Sequence, residues 1–222
     1  MRTDTAAGLK ARKQPQQARS AATVDAIFDA TIQVLLAEGL PRLTTIKVAE
    51  RAGVSVGTLY QYFAQKQALL FAVLQRHLER MVSTMEAATA SAHDAPLASM
   101  VKIVVAAFVK AKTDNLDEAL ALYAVAAELD SRSYVRSVEA RNRAALEAML
   151  KTACDAHFDD IGVTTFMFMA ALVGPMRLLL EGKSPQATIR NLRAHLESLC
   201  LGYLEREARP KGSANRVPPT SR

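Results

Sequence analysis

The residues with the most evident chemistry lie between positions 44 and 66, in TTIKVAERAGVSVGTLYQYFAQK. No nucleophile stands beside a base there, and no set of metal ligands is gathered. The stretch instead combines two short helical patterns with a glycine-containing turn, the layout of a DNA-binding helix-turn-helix. Val48, Ala49 and Ala52 mark the inner side of a helix from Thr45 to Arg51, and Ala49 is small where a second helix must cross closely. Gly53 stands where the chain must turn, and Ser55 supplies an N-cap oxygen for the next helix. Leu59 and Phe63, four residues apart, face inward, which leaves Val56, Gly57, Thr58, Tyr60, Gln61 and Tyr62 outward. That face is small, hydrogen-bonding and phenolic. It suits a DNA groove better than bulk water.

These residues resemble the N-terminal motif of the TetR family of transcriptional regulators. The resemblance is carried by Thr44 or Thr45, Val48, Ala49, Ala52, Gly53, Val54, Ser55, Gly57, Leu59, Tyr60, Tyr62, Phe63, Lys66 and Leu69. It covers about residues 20 to 70, and the run GTLYQYF followed by Lys66 is its most specific part. Val56 departs from it, standing where many relatives carry Lys. The resemblance implies that Thr45, Tyr60, Tyr62 and Lys66 touch the DNA backbone, while Val56, Gly57, Thr58 and Gln61, capped by Ser55, face the major groove. Gln pairs bidentately with adenine, Thr bonds a base edge, and Val or the Thr methyl rests on a thymine methyl.

The elements that must hold this motif are helical throughout, because every long segment shows helical spacing and no alternating strand pattern persists. The expected fold is all-α. A roof helix over about 19 to 38 places Val24, Ile27, Phe28, Thr31, Val34 and Leu35 on one face and stops at Gly39. A connector helix opens at Lys66. Further helices are expected at about 97 to 113, 116 to 129, 133 to 155, 163 to 181 and 185 to 206, the last capped by Ser184 with Pro185 at its first turn. The expected organisation is a basic N-terminal arm (1–18), a helix-turn-helix domain (19–66), a helical regulatory and dimerisation domain (67–207) and a polar tail (208–222).

With 222 residues, half of them hydrophobic, the chain buries a sizeable core. A net charge of +6 fits a polyanionic partner, and the excess is placed at the ends: Lys10, Arg12, Lys13 and Arg19, then Arg206, Arg209, Lys211, Arg216 and Arg222. Two cysteines, Cys154 and Cys200, make no disulfide framework and point to a reducing cytoplasm. The apolar run from Val163 to Leu180 is interrupted by Thr164, Thr165, Gly174, Pro175 and Arg177, so it reads as a buried helix rather than a membrane span. The pair Cys154 and His157 lacks the further ligands of a structural zinc site, and no diagnostic catalytic spacing is present. Neither a metal, a cofactor nor an enzymatic activity is expected.

Ile189, Leu192, Leu196, Leu199 and Tyr203 follow at intervals of three, four, three and four, the spacing of a helix-packing seam. Together with the apolar helix before it, this predicts a two-fold dimer through a four-helix bundle, as the resemblance also implies. The resemblance implies a small-molecule pocket in the same domain. Candidate lining residues are Phe108, Tyr123, Met149, Phe166, Met169 and Met176, with Arg177 to answer an anion, or Glu118 or Glu128 to answer a cation. The expected protein is a cytoplasmic, homodimeric repressor released from a palindromic double-stranded DNA operator by a small effector; the alternative is an architectural or protein-recruiting DNA binder with no small-molecule effector.

Overall fold

A computed structural model of the protein describes residues 18–182 and 186–210. In chain order it contains α1 (Ala18–Glu38), a 3₁₀ turn (Leu40–Arg42), α2 (Thr45–Ala52), α3 (Val56–Tyr62), α4 (Lys66–Ser91), α5 (Leu97–Thr113), α6 (Leu116–Glu128), α7 (Arg132–Lys151), β1 (Ala156–Phe158), α8 (Ile161–Glu181), α9 (Gln186–Glu207) and β2 (Ala208–Pro210). The helical expectation holds, with one addition. β1, just before α8, pairs antiparallel with β2, just after α9, His157 opposite Arg209, where a loop and the start of a tail were expected. Residues 1–17, Ser184, Pro185 and the rest of the tail lie outside the described residues.

The chain divides into two compact units, Met1–Arg80 with Thr113–Val138, and Met81–Lys112 with Glu139–Arg222. The first is built around α1, whose Val24, Ile27, Phe28, Thr31, Val34 and Leu35 are all buried. Under them pack Leu43, Val48 and Ala49, then Leu59 and Phe63, then Leu69, Leu70, Val73 and Leu74 of α4. Leu122 and Val125 of α6 complete the same core. The first half of α4, with α6 and the start of α7, packs with the N-terminal helices.

The second unit takes its core from Val82 and Met85 of α4, Met100, Val101, Val104, Val105 and Phe108 of α5, and Leu146, Met149 and Leu150 of α7. Phe168, Leu172, Met176 and Leu179 of α8 join them. From α9 the buried row is Leu192, Leu196, Cys200 and Leu204, a repeat of four residues that keeps one face inward. Burial pushes the Cys200 thiol up to about 12, which makes it a core side chain and not a reactive one. The α8 start falls at Ile161, earlier than expected, because the Asp160 carboxylate accepts the Val163 N–H at 3.0 Å. The helix then runs unbroken through Pro175.

Half-buried Lys112 on α5 has its pKa pushed down to about 8 by desolvation, from an ordinary 10.5. The unfolded chain then holds more protons between these two values, so stability rises with pH across that window and the penalty is fully present below pH 8. Lys112→Met is expected to stabilise the protein at neutral pH by roughly 1–3 kcal/mol and to flatten its alkaline stability profile. Chemical denaturation at pH 7 and pH 10 checks both.

Candidate DNA-binding interface

The turn between α2 and α3 is set by local chemistry. Thr44 caps α2 by accepting the Lys47 N–H at 3.3 Å. Gly53 ends the helix in the left-handed region with φ 67°, a conformation that strains any residue with a Cβ. The Gly53 N–H donates to the Glu50 carbonyl at 3.2 Å and the Val54 N–H to the Ala49 carbonyl at 3.0 Å, which satisfies the last carbonyls of α2. Ser55 then starts α3, its hydroxyl accepting the Thr58 N–H at 3.0 Å. Buried Leu59 and Phe63 seat α3 on the core.

This seating leaves Ser55, Gly57, Tyr60 and Gln61 exposed. Gln61 and Gly57, four apart, share one side of α3, the arrangement expected of a groove-facing edge. Val56 is different: it is half-buried and packs against the core, so its side chain is only partly free to face a groove. Half-buried Thr58 turns its hydroxyl to Ser55, at 2.8 Å.

All four residues expected at the DNA backbone already have a hydrogen-bond partner within the protein, and of them Tyr60 is the one left exposed. Thr45 is buried and shares a hydrogen bond with the Tyr60 hydroxyl, at 3.1 Å. Tyr62 shares one with the Ser20 hydroxyl of α1, at 3.0 Å. Lys66 donates to the Leu40 carbonyl at 3.1 Å, which fastens the start of α4 to the turn after α1. These groups hold the helices in place before any DNA is considered. Sequence reasoning missed Ser20 and Leu40 because their partners lie 42 and 26 residues away and no local pattern marks them.

Residues 27–73 match the family described as bacterial regulatory proteins, tetR family, and residues 96–204 match the tetracyclin repressor-like C-terminal domain. Together the two matches take in most of the chain. The chain belongs to the TetR family. It is 35% identical over 82 residues to the HTH-type transcriptional regulator BetI of Burkholderia mallei, a match covering 37% of this chain and 42% of that protein. It is 46% identical over 55 residues to the HTH-type transcriptional repressor KstR of Mycolicibacterium smegmatis, covering 25% of this chain and 27% of that one. The chain thus spans less than half the length of these curated relatives. The fold is similar to that of a TetR transcription regulator from Haloarcula marismortui, with a TM-score of 0.69 at 17% identity over 85% of this chain and 100% of that one.

The residues expected to line an effector pocket in this TetR-family chain fall in both units and differ in burial. Phe108, Met149 and Met176 are buried in the second unit and Met169 is half-buried there. Tyr123 belongs to the first unit. Phe166 is 51% exposed and Arg177 is exposed, so neither points into an interior chamber of the chain. Glu118 is not free to meet a cation, since its carboxylate already accepts from Arg80, from the His77 ring at 3.1 Å and from the Asn115 amide at 3.0 Å. Glu128 is exposed.

The residues of the expected dimer seam differ in their exposure within the single chain. Leu192 and Leu196 are buried against their own chain, in the row that continues through Cys200 and Leu204. Of the five candidates only Leu199 is well exposed; Tyr203 is half-buried, and the Ile189 side chain lies outside the described residues. The apolar surface sits mainly on α8. Val163, Phe166, Met167, Val173 and Leu178 are all at least 43% exposed, and at 3.6 residues per turn they fall within an arc of about 140° on one side of the helix.

Proposed function

We propose that this protein is a homodimeric, ligand-responsive regulator that binds a palindromic DNA operator, and that it represses until a small effector releases it. The observation that carries the reading is the α2–Gly53–Ser55–α3 geometry, which leaves Gly57, Tyr60 and Gln61 on an exposed edge above a fully packed core. Tyr60 supplies a phenol for a phosphate and Gln61 an amide for a base edge. Thr45, Tyr62 and Lys66 act one step back, by holding the helices that present them. The name of one relative, a repressor, supports repression over activation.

The exposed stripe of α8 with Leu199 of α9 is the proposed two-fold interface. A contiguous apolar face of this kind is unusual on a monomer and fits a second copy of itself. In such a dimer the two α3 helices meet successive major-groove faces about 34–36 Å apart. An effector seated in the second unit, against Phe108, Met149, Met169 or Met176, that prefers a differently spaced state disfavours DNA by linkage. The protein acts in the cytoplasm and turns over no substrate.

Selection from randomised duplex DNA tests the reading: a palindromic consensus is expected, and enrichment of no sequence overturns it. On the recovered operator, Gln61→Ala is expected to cost about 1–3 kcal/mol and to relax preference at one symmetric pair of positions. An unaltered preference removes Gln61 from base reading. Compounds that release DNA and raise the thermal midpoint identify the effector; an operator-specific protein that no ligand class releases is the architectural alternative.

A further inference from the structure

Arg76 of α4 makes three contacts that no DNA-facing motif accounts for. Its Nη1 donates to Asp25 Oδ1 at 3.0 Å and its Nη2 to Asp29 Oδ1 at 2.6 Å, while its Cζ lies 4.7 Å from the centre of the Phe28 ring. Asp25 and Asp29 are one helical turn apart on α1, so the guanidinium fork bridges that turn and lies on the aromatic ring between them. Phe28 in turn packs on Phe63, ring centres 5.6 Å apart. Phe63 is the C-cap residue of α3, its N–H donating to the Leu59 carbonyl at 2.9 Å.

We propose that Arg76 is a positioning residue for DNA recognition, fixing the pose of α3 from α4 through Phe28 and Phe63. The inference rests on the DNA-binding reading above. Its physical content is orientation more than stability, because Asp25 and Asp29 keep 64% and 65% of their side-chain surface exposed, and ion pairs of that kind contribute little to folding. Orientation is what a planar fork supplies. Two divergent N–H groups on two carboxylates, with the plane against a ring, leave α4 little freedom to roll on α1, whereas a lysine presents a single point charge. The other fastening of α4 is Lys66 on the Leu40 carbonyl, about 15 Å along the helix by its rise per residue. Two fastenings at that separation define an axis, and the stack from Arg76 carries that axis to the end of α3.

Loss of the fork therefore disturbs base contacts, which need α3 in register, more than phosphate attraction, which needs only charge. The test compares the full chain with Arg76→Lys and with the double substitution Asp25→Asn and Asp29→Asn. Each is titrated with the operator recovered by the wild type and with a scrambled duplex of equal length. Both variants are expected to lower the ratio of operator to scrambled affinity about five- to tenfold while Arg76→Lys leaves scrambled affinity and its salt slope unchanged. Partial unfolding cannot mimic this, because it reduces the active fraction for both duplexes alike. An unchanged ratio, or an equal fall on both duplexes that follows the loss of folded protein, makes Arg76 a stabilising residue only and overturns the inference. A wild type that enriches no sequence overturns the DNA-binding reading itself, and this inference with it.

Discussion

Replacing Phe166 and Leu178 by glutamate is expected to give a folded monomer that has lost tight operator binding. Both side chains are exposed in the single chain, at 51% and 70%, so each charge meets water and the fold changes little, by roughly 0.5 kcal/mol or less per site. In the proposed dimer the same two positions, and their symmetry copies, bury charge against an apolar face, which is costly without a partner. A monomer then holds one half-site alone. Losing the linked second contact lowers operator affinity by about 10²–10⁴-fold with every DNA-facing residue intact. Light scattering reports the mass and operator titration the affinity. Leu196→Glu is the contrasting variant: this residue is 1% exposed within its own chain, so its substitution is expected to unfold the second unit rather than to dissociate a dimer. A Phe166 and Leu178 variant that still weighs as a dimer places the interface elsewhere.

The contrast between Leu196 and Leu199 shows how far spacing alone reaches. Intervals of three and four residues announce that α9 has an apolar seam but do not say which neighbour receives it. The inward row of α9 is Leu192, Leu196, Cys200 and Leu204. Cys200, which in the sequence carries only a redox meaning, is the member that continues the row, and recognising it as a small hydrophobe turns Leu199 outward. Phe166 shows the opposite case. A phenylalanine in a helix as apolar as α8 reads as lining or core, yet it belongs to the outer stripe with Val163, Met167, Val173 and Leu178.

The helix-turn-helix was legible because its determinants are local. Gly53 needs a positive φ, Ser55 caps its own helix, and Leu59 and Phe63 are one turn apart, so all of this lies within about a dozen residues of chain. Partners that close the head from far away left no such mark. In the sequence the resemblance gives the Tyr62 hydroxyl and the Lys66 ammonium to the DNA backbone and the Arg76 guanidinium carries no assignment, yet each is committed to α1 or the turn after it. The ribbon of β1 and β2 is illegible for a related reason: strands of three residues are too short to show alternation, and their pairing spans some fifty residues of chain.

Phe63→Ala is expected to be the most damaging single substitution in the DNA-binding head, costing about 3–5 kcal/mol of stability. The ring is 1% exposed and packs on Phe28 at 5.6 Å and Tyr62 at 6.4 Å. It stands where α3 ends and the chain leaves for α4, so its loss opens a cavity between α1, on which it packs, and α3, which it terminates. A domain whose whole stability is about 5–15 kcal/mol has little margin against such a change. DNA binding is then lost because the head is unfolded, not because a contact is missing, and the two are separable. Gln61→Ala is expected to leave thermal unfolding within about 0.5 kcal/mol of the parent while altering base preference. Phe63→Ala is expected to lower the unfolding midpoint first, with operator and scrambled duplex affected alike. Chemical denaturation followed by far-ultraviolet circular dichroism, together with titration of both duplexes, decides. A Phe63→Ala protein with unchanged stability would mean that the packing of Phe28 on Phe63 is not what seats α3, and the route from Arg76 to the recognition helix would fail with it.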